Sequence, residues 1–140
     1  SYAALCEAFL AAGQAEKAQS AAEAALDQSA GSAAAHLAMA QVRRGQGRTE
    51  DALAETERAL ELDPYSVEAL RLSGALRRER GELRECAALW QRALALNPWH
   101  AQMHFDLSRL LGERLGDTEA AIEHYAQYLE LERARIEAGG

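Results

Sequence analysis

Small and apolar residues recur along this chain at helical spacing, and glycine or proline interrupts the pattern at regular intervals. In "AAAHLAMAQVRRGQG" (33–47) the apolar face runs on until Gly45 and Gly47 break it. "TEDALAETERALEL" (49–62) resumes with Ala52, Ala59 and Leu60 on related faces, and Asp63-Pro64 stops it, because proline disfavours helix at the residue before it. "YSVEALRLSGALRRERG" (65–81) restarts with Ser66 as a cap and Glu68 in the first turn. Read through the chain, the pattern predicts eight helices near 1–12, 15–28, 33–45, 49–62, 67–80, 83–96, 101–115 and 118–137.

These helices come in pairs, and the pairs repeat. "RALELDP" at 58–64 returns as "RALALNP" at 92–98, thirty-four residues later. Gly13, Gly47 and Gly81 keep the same step, and Gly116 follows after thirty-five. Ala18, Ala52 and Cys86 form a second column, with Ala121 again one residue late; Ala25, Ala59 and Ala93, flanked by Leu26, Leu60 and Leu94, form a third. A fixed period of this length marks a stacked array, since a helix pair cannot bury its apolar face alone. The expected fold is an all-α solenoid of four helix-turn-helix units, about 1–32, 33–66, 67–100 and 101–137, in a single array over 1–140. Alanine or glycine where two helices cross lets the backbones approach closely, and aromatic and leucine side chains fill the wider gaps.

The pattern resembles the tetratricopeptide repeat, a unit of this length with the signature W-x2-L-G-x2-Y … A-x3-F … P. Tyr2, Leu5, Cys6 and Phe9 fill the opening slots of the first unit in conservative form. The second has His36, Met39, Ala40 and Arg43 there, then Ala52, Ala59 and Pro64; the third has Gly74, Cys86 with Trp90, Ala93 and Pro98. The fourth has Leu107, Ser108 and Ala121 with Tyr125, but Tyr128 replaces the late alanine and no proline follows. The resemblance covers essentially the whole chain. It implies a right-handed solenoid whose first helices line a concave groove and whose function is non-catalytic binding of another protein. Carried over residue by residue, the groove would be lined by Leu37, Gln41, Arg44, Arg71, Ala75, Arg78, Gln102, Phe105 and Arg109. The lysine/asparagine clamp of chaperone-binding members is absent, because its slots read Ala3, Glu7, Ala38, Glu68 and Leu72, and the asparagine ladder of sugar-transferase members is replaced by Ala4, Ala38, Leu72 and Asp106.

Charge adds one feature that the repeat does not. The chain carries −7 overall, which argues against nucleic acid as a partner. The first helices hold a net +3, whereas the second helices with the adjoining turns hold −10. Arginine's planar fork suits carboxylates, so the groove arginines point to an acidic or C-terminal segment of a partner; the competing reading pairs them with Glu68, Glu79 and Glu113 on solvated faces. Lys17 is the only lysine beside fourteen arginines, which indicates a GC-rich, bacterial genome.

No chemistry assembles from the remaining candidates, and no cofactor is expected. His100 and His104 stand at i, i+4, a metal-ligand spacing, but His104 occupies the packing slot of His36 and Leu70 and nothing completes a site. Cys6 and Cys86 fall in small-residue crossing slots and read as buried free thiols. "RGQGRTE" lacks the Gly-Lys-Ser/Thr ending of a phosphate loop and reads as an inter-helix turn. Tyr65 and Trp99, each after a unit-ending proline, are expected to pack on the next unit; an exposed Trp99 would instead be a binding anchor. No apolar run approaches the roughly twenty residues of a membrane span, and no signal peptide is visible. The chain starts at Ser1 and is expected to be a segment of a longer protein, with cytoplasm and periplasm both open. The resulting expectation is a bacterial assembly or secretion scaffold, for example in envelope biogenesis or exopolysaccharide export. A self-associating spacer and the regulatory arm of a larger enzyme are the alternatives.

Overall fold

The computed structural model describes residues 1–139, and among these there are helices and turns but no strand. In chain order they are α1 (Tyr2–Ala11), α2 (Ala15–Gln28), α3 (Ala33–Gly45), α4 (Thr49–Leu62), α5 (Val67–Glu79), α6 (Leu83–Leu96), α7 (Ala101–Arg109) and α8 (Thr118–Gly139). A five-residue π-helical turn, Leu110–Arg114, continues α7. Consecutive helices pack as pairs, and each pair's second helix packs on the first helix of the next pair. This is an α-solenoid of four units.

The turns explain the glycine column. Gly13, Gly47, Gly81 and Gly116 all have φ between 71° and 81°, the left-handed conformation that closes a helix and that a side chain disfavours. First helices begin with a side-chain cap that the second helices α2, α4 and α6 lack. Ser32 and Ser66 accept the backbone N–H of Ala35 and Ala69 at 3.2 and 3.1 Å, and His100 Nδ1 accepts that of Met103 at 3.2 Å. His100 is therefore a helix cap.

The core follows the small-residue columns. Cys6, Ala18, Ala40, Ala52, Ala59, Cys86 and Ala93 are fully buried. Gly74 and Trp90 show why one slot must be empty of side chain. A Cβ at Gly74 would lie 2.5 Å from Trp90 Cδ1 and closer still to Nε1, so the indole occupies the room the glycine leaves. Trp90 then donates its N–H to the Arg71 carbonyl at 3.1 Å.

Two expectations need correction. Tyr65 and Trp99 do not pack on the next unit: both are 75% exposed. The Asp63 and Asn97 side chains accept the Tyr65 and Trp99 backbone N–H at 3.1 and 3.3 Å, which fixes tight turns that turn both rings outward. Helix 101–115 is not uniformly α. It carries the extra residue of the fourth unit as a π turn, with Leu115 N–H on Leu110 C=O at 3.1 Å. The last helix, α8, buries no residue completely and leaves Ile122, Tyr125, Leu129 and Ile136 exposed along its length.

Candidate protein-binding groove

The first helices bring part of the expected groove together. Gln41 and Arg44 of α3 and Arg71 and Ala75 of α5 line one hollow of about 510 Å³, joined by Leu10, Glu68, Leu72 and Glu79. Its floor is apolar and its rim carries both charges. Arg44 meets Glu79 at 2.7 Å and Arg71 meets Glu68 at 3.4 Å, so the four rim charges balance. These pairs are well exposed and individually contribute little, about 0–1 kcal/mol. Both pairs are ones the competing sequence reading named, and Glu79 stands thirty-five residues from Arg44, one helix pair further along the same face.

A second hollow, of about 160 Å³, lies where α5 faces α7 and its π turn, lined by Arg78, Asp106, Arg109, Leu110, Glu113 and Arg114. Arg109 bonds Glu113 at 3.3 and 3.4 Å. Arg78 has no acid partner among the described residues; its guanidinium carbon lies 5.1 Å from the Trp90 ring centroid. Phe105 belongs to a third cavity, of about 460 Å³, with Ser108, Arg109, Ala121, Ile122 and Tyr125. There it stacks at tilted angles on Tyr125 and Tyr128, with centroids 6.4 and 5.0 Å away.

Two expected groove residues lie outside these hollows. Leu37 is half-buried against Ala40, Leu53 and Leu72 in the core, and Gln102 spends its amide on Asp106 at 3.0 Å. The family resemblance put both on the groove face.

The buried polar groups have structural roles. His36 places Nε2 2.8 Å from Ala30 C=O and Nδ1 2.7 Å from Glu55, tying α3 to α4 and to the turn before it. His104 fills the same slot two units on, with Nε2 on Pro98 C=O at 2.8 Å and Nδ1 3.0 Å from His124 Nδ1. Burial, and then the neighbouring His104, hold His124 below its usual range, while Glu123 opposes the shift. Both cysteines are buried and free. Burial pushes the Cys86 thiol up to about 12, the opposite of an activated nucleophile. Among the described residues no group of three or more His, Cys, Asp or Glu is arranged to hold a metal, and no helix is long and apolar enough to cross a membrane.

Helix pairs stacked one on the next define a helical-repeat array. The chain belongs to the tetratricopeptide repeat family: two models of that repeat match it, over residues 9–76 and 71–136. No protein of curated function matches it in sequence. Among solved structures it is similar to MamA from Desulfovibrio magneticus RS-1 (residues 41 to the end), at 22% identity and a TM-score of 0.80, with 95% of this chain and 75% of that one covered. A second MamA crystal structure has 22% identity and a TM-score of 0.78, covering 95% and 77%. A structure from work on Pseudomonas aeruginosa PilF superposes with a TM-score of 0.85 at 25% identity, covering 94% of this chain and 60% of that one. The MamA likenesses establish the shared fold, and the family makes the chain a protein-interaction scaffold.

Proposed function

We propose that the concave face holds a segment of a partner protein, acidic or C-terminal in character, within a bacterial assembly or secretion apparatus. The observation that carries this reading is the hollow between α3 and α5, with apolar floor residues Leu10, Leu72 and Ala75 and a rim of arginines and glutamates. Its size is that of a ligand cleft. Arg44 and Arg71 are already bonded to glutamates, but through exposed pairs that an incoming carboxylate can exchange at small cost. The bacterial setting draws support from the arginine bias and from the organisms of the similar solved chains.

The test is capture from lysate of the source organism, beside a variant with Arg44, Arg71, Arg78 and Arg109 changed to Glu and shown by circular dichroism to keep its helicity. A photo-crosslinker replacing Gln41 should trap the captured partner, and one replacing exposed Ala54 on α4 should not. Equal trapping at both positions, or undiminished capture by the variant, would sink the groove assignment.

A second reading, self-association, is favoured by the exposed apolar residues of α8. Ile122, Tyr125 and Leu129 stand thirty-five residues after Ala87, Trp90 and Leu94, which are buried in one cluster with Met103 and Leu107 of the following first helix. The face written for a next helix is exposed on α8. Light scattering should show mass rising with concentration and Ile122→Arg abolishing the rise; a concentration-independent monomer removes this reading.

A further inference from the structure

The bridge from Arg44 to Glu79 ties α3 to α5 across thirty-five residues, with distances of 2.7 and 2.8 Å. The same pair is written one unit later, as Arg78 and Glu113. There the bridge does not form, and Glu113 turns to Arg109 of its own segment.

The extra residue of the fourth unit is the cause. In the first three units the helix end is closed by a backbone N–H five residues on: Gln14 to Phe9 at 2.8 Å, Arg48 to Arg43 at 2.9 Å, Glu82 to Arg77 at 2.9 Å. In the fourth, Asp117 reaches Leu111 at 2.8 Å, six residues back, over the π turn. One inserted residue rotates the side chains beyond it by up to about 100°. Glu113 therefore no longer meets the arginine one unit back, and Arg114 enters the hollow beside Arg78.

Arg78 is thereby left free and held in place. Its guanidinium lies over Trp90, which is itself fixed by the Arg71 carbonyl and seated in the space of Gly74. Arg114 also has no ion pair among the described residues, and Arg109 and Glu113 satisfy one another. Counting Asp106, which accepts from Gln102, the lining carries a net +1, where the α3–α5 hollow is balanced.

We infer that this hollow is an anion seat in which Arg78 and Arg114 together take one carboxylate of the bound segment. The inference deepens the groove reading and rests on the concave face being the binding face. Arginine on an aromatic ring is pre-organised, so little side-chain freedom is lost when the carboxylate arrives.

The test uses two probes and the intact chain. Acetyl-tetraglutamate amide offers side-chain carboxylates only; acetyl-tetra-alanine with a free C-terminus offers the terminal one only. In ¹⁵N correlation spectra of arginine Nε–H groups, the favoured peptide should shift Arg78 and Arg114 together and saturably, at lower peptide concentration than Arg44; which peptide does so identifies the source of the carboxylate. Arg78→Gln and Arg114→Gln should each weaken binding about tenfold or more. Deleting Leu115, which lies beyond Glu113, restores the thirty-four-residue step between Gly81 and Gly116 and keeps Arg78 and Glu113 thirty-five apart, as Arg44 and Glu79 are. It should let Arg78 pair with Glu113, moving the Arg78 signal toward that of Arg44 and abolishing peptide binding. If the deletion does not fold, Arg114→Gln decides alone. Signals that stay still with both peptides, or all exposed arginines shifting in parallel, overturn the seat. Peptide binding without any partner cross-linked at Gln41 would sink the groove function and leave the seat standing. A cross-linked partner undiminished by Arg78→Gln would do the reverse.

Discussion

Replacing Gly74 by alanine sets two effects of known size against each other. In a helix interior, alanine for glycine stabilises by about 1 kcal/mol when nothing else changes. Here the new Cβ falls 2.5 Å from Trp90 Cδ1 and 3.2 Å from Cε2, where ordinary contact begins near 3.4 Å. The indole must move by about an ångström. Overpacking of that kind costs roughly 1–3 kcal/mol, and the Trp90 N–H bond to Arg71 C=O, worth about 1 kcal/mol, is strained with it. The net expectation is a loss of about 1–3 kcal/mol, which for a chain of this length lowers Tm by roughly 3–10 °C.

Thermal unfolding followed by circular dichroism reads the effect, and amide exchange should place it in α5 and α6, since stacked repeats lose stability locally. Gly45→Ala is the control: that glycine ends α3 with nothing within 4 Å of its Cβ position, so the change should be near neutral. In Gly74→Ala combined with Trp90→Leu, the smaller side chain should absorb the methyl, and the pair should be less destabilising than the sum of the singles by about 1 kcal/mol or more. A Gly74→Ala protein as stable as the parent would show that the indole is not confined, and with it would go the claim that Trp90 holds Arg78 in place.

The remaining predictions concern buried and exposed groups. His124 has a depressed pKa in the fold, so the unfolded chain binds its proton more readily. Its contribution to stability is complete above the unfolded value near 6.5 and is lost as pH falls below it, so lowering the pH from about 7 to about 5 should cost the parent more Tm than His124→Gln; equal losses would refute it. Cys6 and Cys86 are buried with raised pKa values, so a disulfide reagent at about pH 8 should label neither thiol until denaturant is added, and labelling of the folded chain would contradict the packing. Trp99 is 75% exposed and Trp90 2% exposed, so iodide should quench the first and not the second, and Trp99→Ala should change stability by less than about 0.5 kcal/mol. A larger loss would mean that Trp99 packs after all.

The period made the fold legible, and its irregularities hid the site. Glycines in a left-handed turn, alanines at tight crossings and serine caps are each demanded by backbone geometry, so they recur at fixed spacing and can be read from residue type. What fills the groove obeys weaker rules. Leu37 and Gln102 sit on the right helices, yet one is drawn into the core and the other to Asp106 by neighbours that no column reveals. Gly74 and Trp90 each fill an expected slot of the repeat, but that they fit together as a pair, sixteen residues apart on facing helices, shows only in the packing.

The late arrival of Gly116 and Ala121 is visible in the sequence as a count, but a count does not say where in the unit the extra residue goes. Placed in a loop it would have left the first-helix face intact, and Arg78 would be bridged to Glu113 as Arg44 is to Glu79. Placed in the helix as a π turn, it keeps the small-residue crossing of Gly112 with Ala121, whose Cβ would lie 3.2 Å from one built on the glycine, while changing which charge meets which across the groove. The stack tolerates the insertion because its cost falls on one turn of backbone. The groove chemistry does not, because an ion pair between neighbouring units needs both side chains in register. A repeat array can therefore acquire an unbridged arginine by a one-residue change in length with every charged residue kept, and the place to look for distinctive binding in this chain is where its period slips.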